Sequence, residues 1–423
     1  MLPEQLTEKA ITERQRVKAK RDWFYLCGIQ ASYWAVMTMQ SSFLVSFLSQ
    51  NGYEPALIAA IVTLIALVNL VAQPIWGYFA DSKFGIRKVM IICMAGTIPT
   101  LILMPVAAES VIAALVLNFS YALFNQPLQG LTDSLTNIAA WRNKYVVYGF
   151  TRGCGSLSAA IASLLVGRFL ITVGIEKLFY INSGLTLIGL ILLVFFTNTP
   201  YGMQQSDDAA STAALRKEKV SVRYAANILL QNKSYILIVI AIMLMNVGGR
   251  FAHLFVPILI DEFGGTSAHI GFALFLNCIF MAPCMIMHSF LIRKKVSNRY
   301  IMFLGGIFAA IRLVAMLFAS NLNILVGVQI FQSFAYGLMH PATVQAISEV
   351  SPLNLRSTAI SFAVAVQVVL STLIGNNVGS ALTGIVGYRN TSFIFIAITI
   401  GGIALYMYAT NMNKNVEDIV ADS

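Results

Sequence analysis

Charge is what this 423-residue sequence has least of: 11% of it is Asp, Glu, Lys or Arg, where a soluble domain carries about 25%. With 58% hydrophobic residues and a mean hydropathy of +0.76, too little polar surface remains to coat a water-soluble core of this size. Cysteine is scarce as well. Cys27, Cys93, Cys154, Cys278 and Cys284 all fall inside apolar stretches, and none has the spacing of a disulfide frame or a zinc site. No metal and no cofactor are therefore expected. Catalytic signatures are missing: there is no H-E-x-x-H, no G-x-S-x-G and no pair of aspartates inside an apolar run, which speaks against an enzyme. The loops are too short for the filter or re-entrant segments of a channel. The first 22 residues are too polar for the apolar core of a signal peptide, and no small-residue cleavage site follows. The first apolar stretch therefore reads as an uncleaved span.

What is present is a series of twelve apolar stretches, near residues 23–48, 57–79, 89–106, 110–136, 148–173, 178–196, 235–260, 267–292, 300–320, 324–350, 357–385 and 392–410. A bilayer-spanning helix needs about 20 mostly apolar residues. Six stretches precede the one long polar segment and six follow it, so it reads as a linker between two halves. The expected fold is an all-α membrane protein with 12 transmembrane helices in two pseudo-symmetric six-helix bundles. The expected divisions are a tail at 1–22, a first bundle at 23–197, a cytoplasmic linker at 198–234, a second bundle at 235–412 and a tail at 413–423. Residues 222–230 of the linker would suit either an amphipathic surface helix or a solvated tether.

The net charge of +10 does not indicate a nucleic-acid partner, because the basic residues lie in short loops. With the N-terminus inside, twenty-two of the 28 Lys and Arg residues collect on the cytoplasmic side and three on the other. That asymmetry puts both termini in the cytoplasm. The remaining three, Arg152, Arg250 and Arg312, fall within spans. The expected setting is the inner (cytoplasmic) cell membrane, as a multi-pass monomer in contact with lipid.

Ionisable groups inside spans are costly and by default face a cavity. Asp133 is the acid set well inside a span, and Asn125, Gln129 and Asp133 recur every four residues, which places them on one helix face. Arg152 sits at matched depth in the next span. Either charge alone would cost several kcal/mol, so a pair is expected, one whose acid can take up a proton. Proton coupling is expected from Asp133 and Arg152, with His340. Polar stripes follow helical spacing at Gln329, Gln332, Tyr336 and His340, and at Asn246, Arg250, His253 and Pro257. Such stripes line cavities or bond neighbouring helices. The cavity candidates are Gln30, Tyr33, Asn125, Gln129, Asn246, Arg250, His253, Asn277, Arg312, Gln332, Tyr336 and Gln367. Arg250 and Arg312 have no in-span acid beside them in sequence. Either they snorkel toward water, or the substrate supplies an anionic group.

Between the second and third stretches the chain reads Gln73-Pro74-Ile75-Trp76-Gly77-Tyr78-Phe79-Ala80-Asp81-Ser82-Lys83-Phe84-Gly85-Ile86-Arg87-Lys88. This resembles the G-x-x-x-D-x-x-G-x-R-K loop of the major facilitator superfamily, with one extra residue between Asp81 and Gly85. The resemblance implies a cytoplasmic gate made by Gly77, Asp81, Gly85, Arg87 and Lys88. Gly77 would allow close helix approach, Asp81 would meet a helix N-terminus or a base, and Arg87 and Lys88 would sit at the headgroups. Pro127 followed by Asp133, and the G-x-x-R-x-x-G at 149–155, resemble the lactose permease branch, which includes nucleoside–proton and phenylpropionate permeases. By that resemblance Asp133 and Arg152 would bind sugar. The branch's helix-ten proton site, however, falls at Gln332 and Ala335, its helix-eight acid near Asn277, and its helix-seven acids near Arg250 and His253. The expected function is secondary transport of a sugar or oligosaccharide, a nucleoside or an aromatic acid by proton symport. The alternatives are an uncoupled facilitator, an efflux antiporter, and, from another class, a non-transporting receptor or channel.

Overall fold

The computed structural model describes residues 3–81, 84–201, 228–352 and 356–421. Within them the regular structure is helical, apart from an isolated bridge between Asn143 and Tyr201. Hydrocarbon offers no partners to backbone N–H and C=O groups, so an apolar run must satisfy them internally, and a helix does so. The helices are α1 (Pro3–Gln50), α2 (Pro55–Asp81), α3 (Ile86–Leu103), α4 (Val111–Asn125), α5 (Leu128–Arg142), α6 (Tyr148–Val173) and α7 (Lys177–Phe195). They continue as α8 (Lys233–Glu262), α9 (Ser267–Ile279), α10 (Met281–Arg293), α11 (Asn298–Leu317), α12 (Leu322–Gly327), α13 (Ile330–Glu349), α14 (Arg356–Thr372) and α15 (Gly379–Ala421).

Ten helices among the described residues are long and apolar enough to cross a membrane. Their outward faces stay apolar and uncovered: Tyr78, Ile112, Ile286 and Ile385 are 73, 74, 71 and 79% exposed. Side chains so placed fit lipid as the surrounding solvent.

Several expected spans are broken inside. The 110–136 stretch divides at Pro127 into α4 and α5, because proline cannot donate to the preceding turn. The 267–292 stretch divides at Phe280, and 324–350 becomes α12 and α13. Between α14 and α15 lies a π-helical turn, Leu373–Val378. The expected loop before the last stretch shrinks to a break at Gly387, whose φ of 81° suits glycine alone at low cost. Polar side chains close several helix ends. Ser110 and Asn232 accept from Ala113 and Tyr235, and Thr266 and His269 form a capping box. That gives His269 a local structural role. The 222–230 segment, read as either a surface helix or a tether, lies outside the described residues except for its last three.

The chain forms two compact units. The first comprises residues 1–40, 68–162 and 176–218, and the second 41–67, 163–175 and 219–423. The division thus cuts through α1, α2 and α6. In the first unit, Leu26, Ile29 and Tyr33 of α1 pack against Val89, Met90, Cys93 and Met94 of α3, with Leu131 and Leu135 of α5 and Leu193 of α7. Asp22, 1% exposed, accepts the backbone N–H groups of Thr197 and Thr199 at 3.2 and 2.7 Å, closing the end of α7. In the second unit, Ile238, Ala241, Ile242 and Met245 of α8 meet Met302 of α11, Met339 and Ala342 of α13, and Ile403 and Tyr406 of α15.

Three seams tie the ends of α1, α2 and α6 into the second unit. Ser46 donates to Asp261 at 2.8 Å and Gln50 to the other carboxylate oxygen at 3.3 Å, joining α1 to α8. Asn377 donates to Thr63 at 2.8 Å. Where α6 crosses α9, a Cβ on Gly167 would lie 2.6 Å from the Ser267 carbonyl oxygen and 2.8 Å from the Gly271 Cα. Only glycine lets these backbones touch.

Candidate functional site

Each unit holds a polar cluster built around an in-span arginine. In the first, Asp133 projects from α5 and Arg152 from α6, and Nε of the arginine lies 4.0 Å from Oδ1 of the acid. Among the described residues it is the single Lys, Arg or His contact with a carboxylate within 4.0 Å. Each charge also has a neutral support of its own. Gln30 of α1 donates to Asp133 Oδ1 at 3.2 Å and to Thr136 at 3.1 Å. The Trp34 indole N–H donates to Gln30 Oε1 at 3.0 Å. The Arg152 guanidinium lies over the Trp34 ring at 3.6 Å, a cation–π contact worth about 0.5–2 kcal/mol, and donates to Ser156 at 3.3 Å. Gly155 makes the arrangement possible: a Cβ there would come within 2.7 Å of the Trp34 ring and 3.2 Å of the Gln30 carbonyl oxygen.

Chemically this is a loose ion pair. At 4.0 Å the charges attract without locking, so the carboxylate can change charge while the indole and Ser156 still hold the arginine. Around it, the Tyr33 hydroxyl, the Tyr121 hydroxyl and Asn125 Oδ1 are buried with no hydrogen-bond partner among the described residues. Buried polar atoms of this kind await water or a ligand. The Asn125, Gln129, Asp133 stripe does not run along one helix as expected. Asn125 ends α4 before the Pro127 break, while Gln129 and Asp133 share α5.

The second cluster has cations and no acid. Arg312 of α11, 2% exposed, donates through Nε and Nη2 to Gln329 Oε1 at 3.0 and 2.8 Å, and through Nη1 to Gln332 Oε1 at 2.7 Å. Gln329 is anchored in turn by donating to the Leu325 carbonyl at 2.9 Å. Ser42, His253, Pro257, Asn277 and Arg312 line one narrow cleft. Arg250 is half-buried on α8, where its Cβ lies 2.7 Å from the position a Gly375 Cβ would take. Asn246 turns its amide onto the Ile242 carbonyl, so one of its two N–H donors is spent within its own helix. Tyr336 and His340 stack at 5.1 Å, with His340 exposed. His340 thus belongs to the second unit, while Asp133 and Arg152 belong to the first. Gln367 is half-buried on α14. His288 bonds Asn298, which bonds the Ala342 carbonyl, a packing role.

In the loop after α2, Gly85 takes φ 74° and opens α3, a conformation that explains the glycine. Arg87 donates to the Val194 carbonyl in the last turn of α7, where a cation complements the helix end. Lys88 is exposed. Gly77 makes no close helix approach: a Cβ there meets no described atom within 4 Å, so tight packing is not its reason here. The side chain of Asp81 lies outside the described residues.

Sequence reasoning passed over the Ser46–Gln50–Asp261 seam. Asp261 falls one residue past the apolar run, and no local pattern signals its partner 215 positions away.

Residues 26–397 match the MFS_1 like family. The chain is 22% identical over 359 residues to the uncharacterized transporter YwbF of Bacillus subtilis (strain 168), covering 85% of this chain and 86% of that one. It is 26% identical over 334 residues to the maltose permease of Geobacillus stearothermophilus, covering 78% of each. Among solved structures, nucleoside transporter NupG superposes with a TM-score of 0.70 at 15% identity, covering 92% of this chain and 99% of that one. A D-xylose–proton symporter gives 0.66 at 13%, covering 92% and 97%. A multi-pass helical body, a charged cluster inside a span and a family match over most of its length lead to one conclusion: the chain belongs to the MFS_1 like family and is a major facilitator-type transporter, not an enzyme.

Proposed function

We propose that this transporter is a twelve-span, monomeric proton symporter of the inner cell membrane, with both termini in the cytoplasm, that takes up a small polar solute of the sugar or nucleoside class. The span count follows when α4–α5, α9–α10 and α12–α13 are each taken as one crossing, α1 crosses from Trp23 onward, and Gly387 separates the last two. The lysine and arginine asymmetry supports the orientation. The names of the relatives, a maltose permease, a nucleoside transporter and a D-xylose–proton symporter, support the solute class.

The Asp133–Arg152 contact carries this reading. With the acid ionised, the pair holds itself together through Gln30 and Trp34. A proton on Asp133 removes the attraction and leaves Arg152, still seated on Trp34, free to take a substrate oxygen. On the extracellular side, the α1–α8 and α6–α9 seams and the contact of Asn377 in the π-helical turn with Thr63 of α2 close the path. Opening them exchanges access while the site keeps its shape, the alternating-access scheme of inverted-repeat carriers. A second reading, an uncoupled facilitator, is favoured by one observation: Gln332 and Ala335 occupy the helix-ten positions where the resemblance places the proton site, and neither titrates.

Uptake of labelled maltose, uridine and xylose into proteoliposomes, with and without an inward proton gradient, separates the two. Symport predicts gradient-driven accumulation that Asp133→Asn abolishes while counterflow exchange persists. Accumulation that survives in Asp133→Asn removes Asp133 from the mechanism, and equilibration without accumulation in the unaltered protein selects the facilitator.

A further inference from the structure

Between α11 and α15 the outward side of the second unit carries an apolar groove of about 600 Å³. Every side chain that lines it is apolar, from Phe303 to Phe318 on α11 and from Ile400 to Met407 on α15. Ala310, Ala315 and Ala404 set short side chains among longer ones, and the depression follows from that difference. At 1.5 Å per residue, Phe303 and Phe318 lie about 22 Å apart along the helix axis. One leaflet of a hydrocarbon core about 30 Å thick spans about 15 Å, so the groove has the length for one acyl chain. A helix about 10 Å across would fill about 1,700 Å³ over the same distance, far more than the groove holds.

One end of the groove is charged. Arg299 stands four residues before Phe303 on α11. Its Nε donates to Met407 Sδ at 3.3 Å, and Met407 is itself part of the lining. Its Nη1 donates to Asn411 Oδ1, so the guanidinium is fixed at the mouth between the two helices. These bonds use two of its five N–H groups, and among the described residues no carboxylate lies within 4.0 Å of it. Arg293, Lys294 and Lys295, all exposed, close α10 and lead toward α11, at the end that the Lys and Arg asymmetry assigns to the cytoplasm. Tyr300 and Tyr408 follow Arg299 and Met407 in sequence and are both exposed, and tyrosines so placed mark the headgroup level. A chain-sized apolar slot that ends at a half-buried guanidinium matches a molecule with an alkyl tail and an anionic head. We propose that the α11–α15 groove binds an anionic phospholipid of the cytoplasmic leaflet, its acyl chain in the slot and its phosphate on Arg299. This site depends neither on the solute nor on the coupling.

The test is native mass spectrometry of the delipidated full chain in detergent, titrated with dioleoyl phosphatidylglycerol against dioleoyl phosphatidylcholine. The site predicts one phosphatidylglycerol held about fivefold or more tighter than phosphatidylcholine. Arg299→Gln should erase that preference, while Lys18→Gln, which removes a base from the first unit, leaves it in place. Ala404→Phe, which fills the slot and keeps the cation, should weaken binding of both lipids, and this variant stands in should Arg299→Gln fail to fold. Equal binding of the two lipids or a preference that persists in Arg299→Gln overturns the site. An equal loss in Lys18→Gln does so too, since it would mean a diffuse charged belt only. Lipid binding untouched by Ala404→Phe also overturns it, as does a dimer that Ala404→Phe dissociates, which would give the slot to a second copy of the chain.

Discussion

The two units solve the same problem, a guanidinium inside hydrocarbon, in opposite ways. In the first, Arg152 faces an aspartate, an indole and a serine hydroxyl, so its charge is answered by the protein. In the second, Arg312 faces two glutamine oxygens, so its direction is set while no carboxylate among the described residues lies within 4.0 Å of it. The lesson is that the neighbours of an in-span arginine say more about its work than its burial does.

The comparison breaks most visibly if the two arginines respond alike to removal. Arg152→Met strands Asp133, and leaving one partner of this half-buried pair unanswered costs about 1–3 kcal/mol; the expected outcome is a clear fall in Tm and loss of saturable uptake. Arg312→Met strands no acid and should leave Tm level or raised. Equal falls in calorimetry of both variants would show that Arg312 is a structural residue after all.

Next in size is the seam at Gly271. A valine there meets the α6 backbone near Ser163 and Gly167, and overpacking a backbone contact costs about 1–3 kcal/mol. The expected result is several-fold faster modification of a Ser49→Cys reporter by a membrane-impermeant maleimide. An unchanged rate would mean that this seam does not close the path.

A smaller effect is expected at Gly155, where leucine would push Trp34 away from Arg152. Substrate affinity should weaken about tenfold, matching about 1.4 kcal/mol, while Tm falls less than in Arg152→Met. A fall in Tm as large as that of Arg152→Met would contradict this ordering. Smallest is Asp261→Asn, which retains an oxygen for Ser46. Less than about 1 kcal/mol should be lost, read as a Tm shift near the limit of detection, whereas a large fall would make the seam's charge essential.

Much of this architecture was legible in the sequence. Apolar runs of spanning length follow from the bilayer as solvent and need no tertiary information. Matched depth was enough to place Asp133 opposite Arg152. Trp34 beneath the guanidinium was not foreseen, because it depends on which face of α1 meets α6, and Gly155 sets that approach. Nor was the glutamine cradle. Gln329 and Gln332 stood out as a polar stripe, yet nothing local says that both turn toward Arg312 rather than toward a cavity. The breaks at Pro127 and Phe280 were missed because apolar composition continues through them. Gly77 shows the reverse error, in which a small residue in a motif was given a packing reason that the surrounding space does not support.

The π-helical turn at Leu373–Val378 has a bearing on how this part of the chain could change over time. A wide turn holds one residue more than an α-helical one, and one residue corresponds to a rotation of about 100° around the axis. Residues before and after it are therefore out of phase, and Asn376 and Asn377, buried and half-buried, are both drawn inward beside each other. Deleting a single residue here would restore a regular spiral, swing everything upstream by more than a quarter turn, and pull the Asn377 amide away from Thr63. An insertion of that kind works as a gear tooth: small in length, it fixes which side of a long rod engages its neighbour.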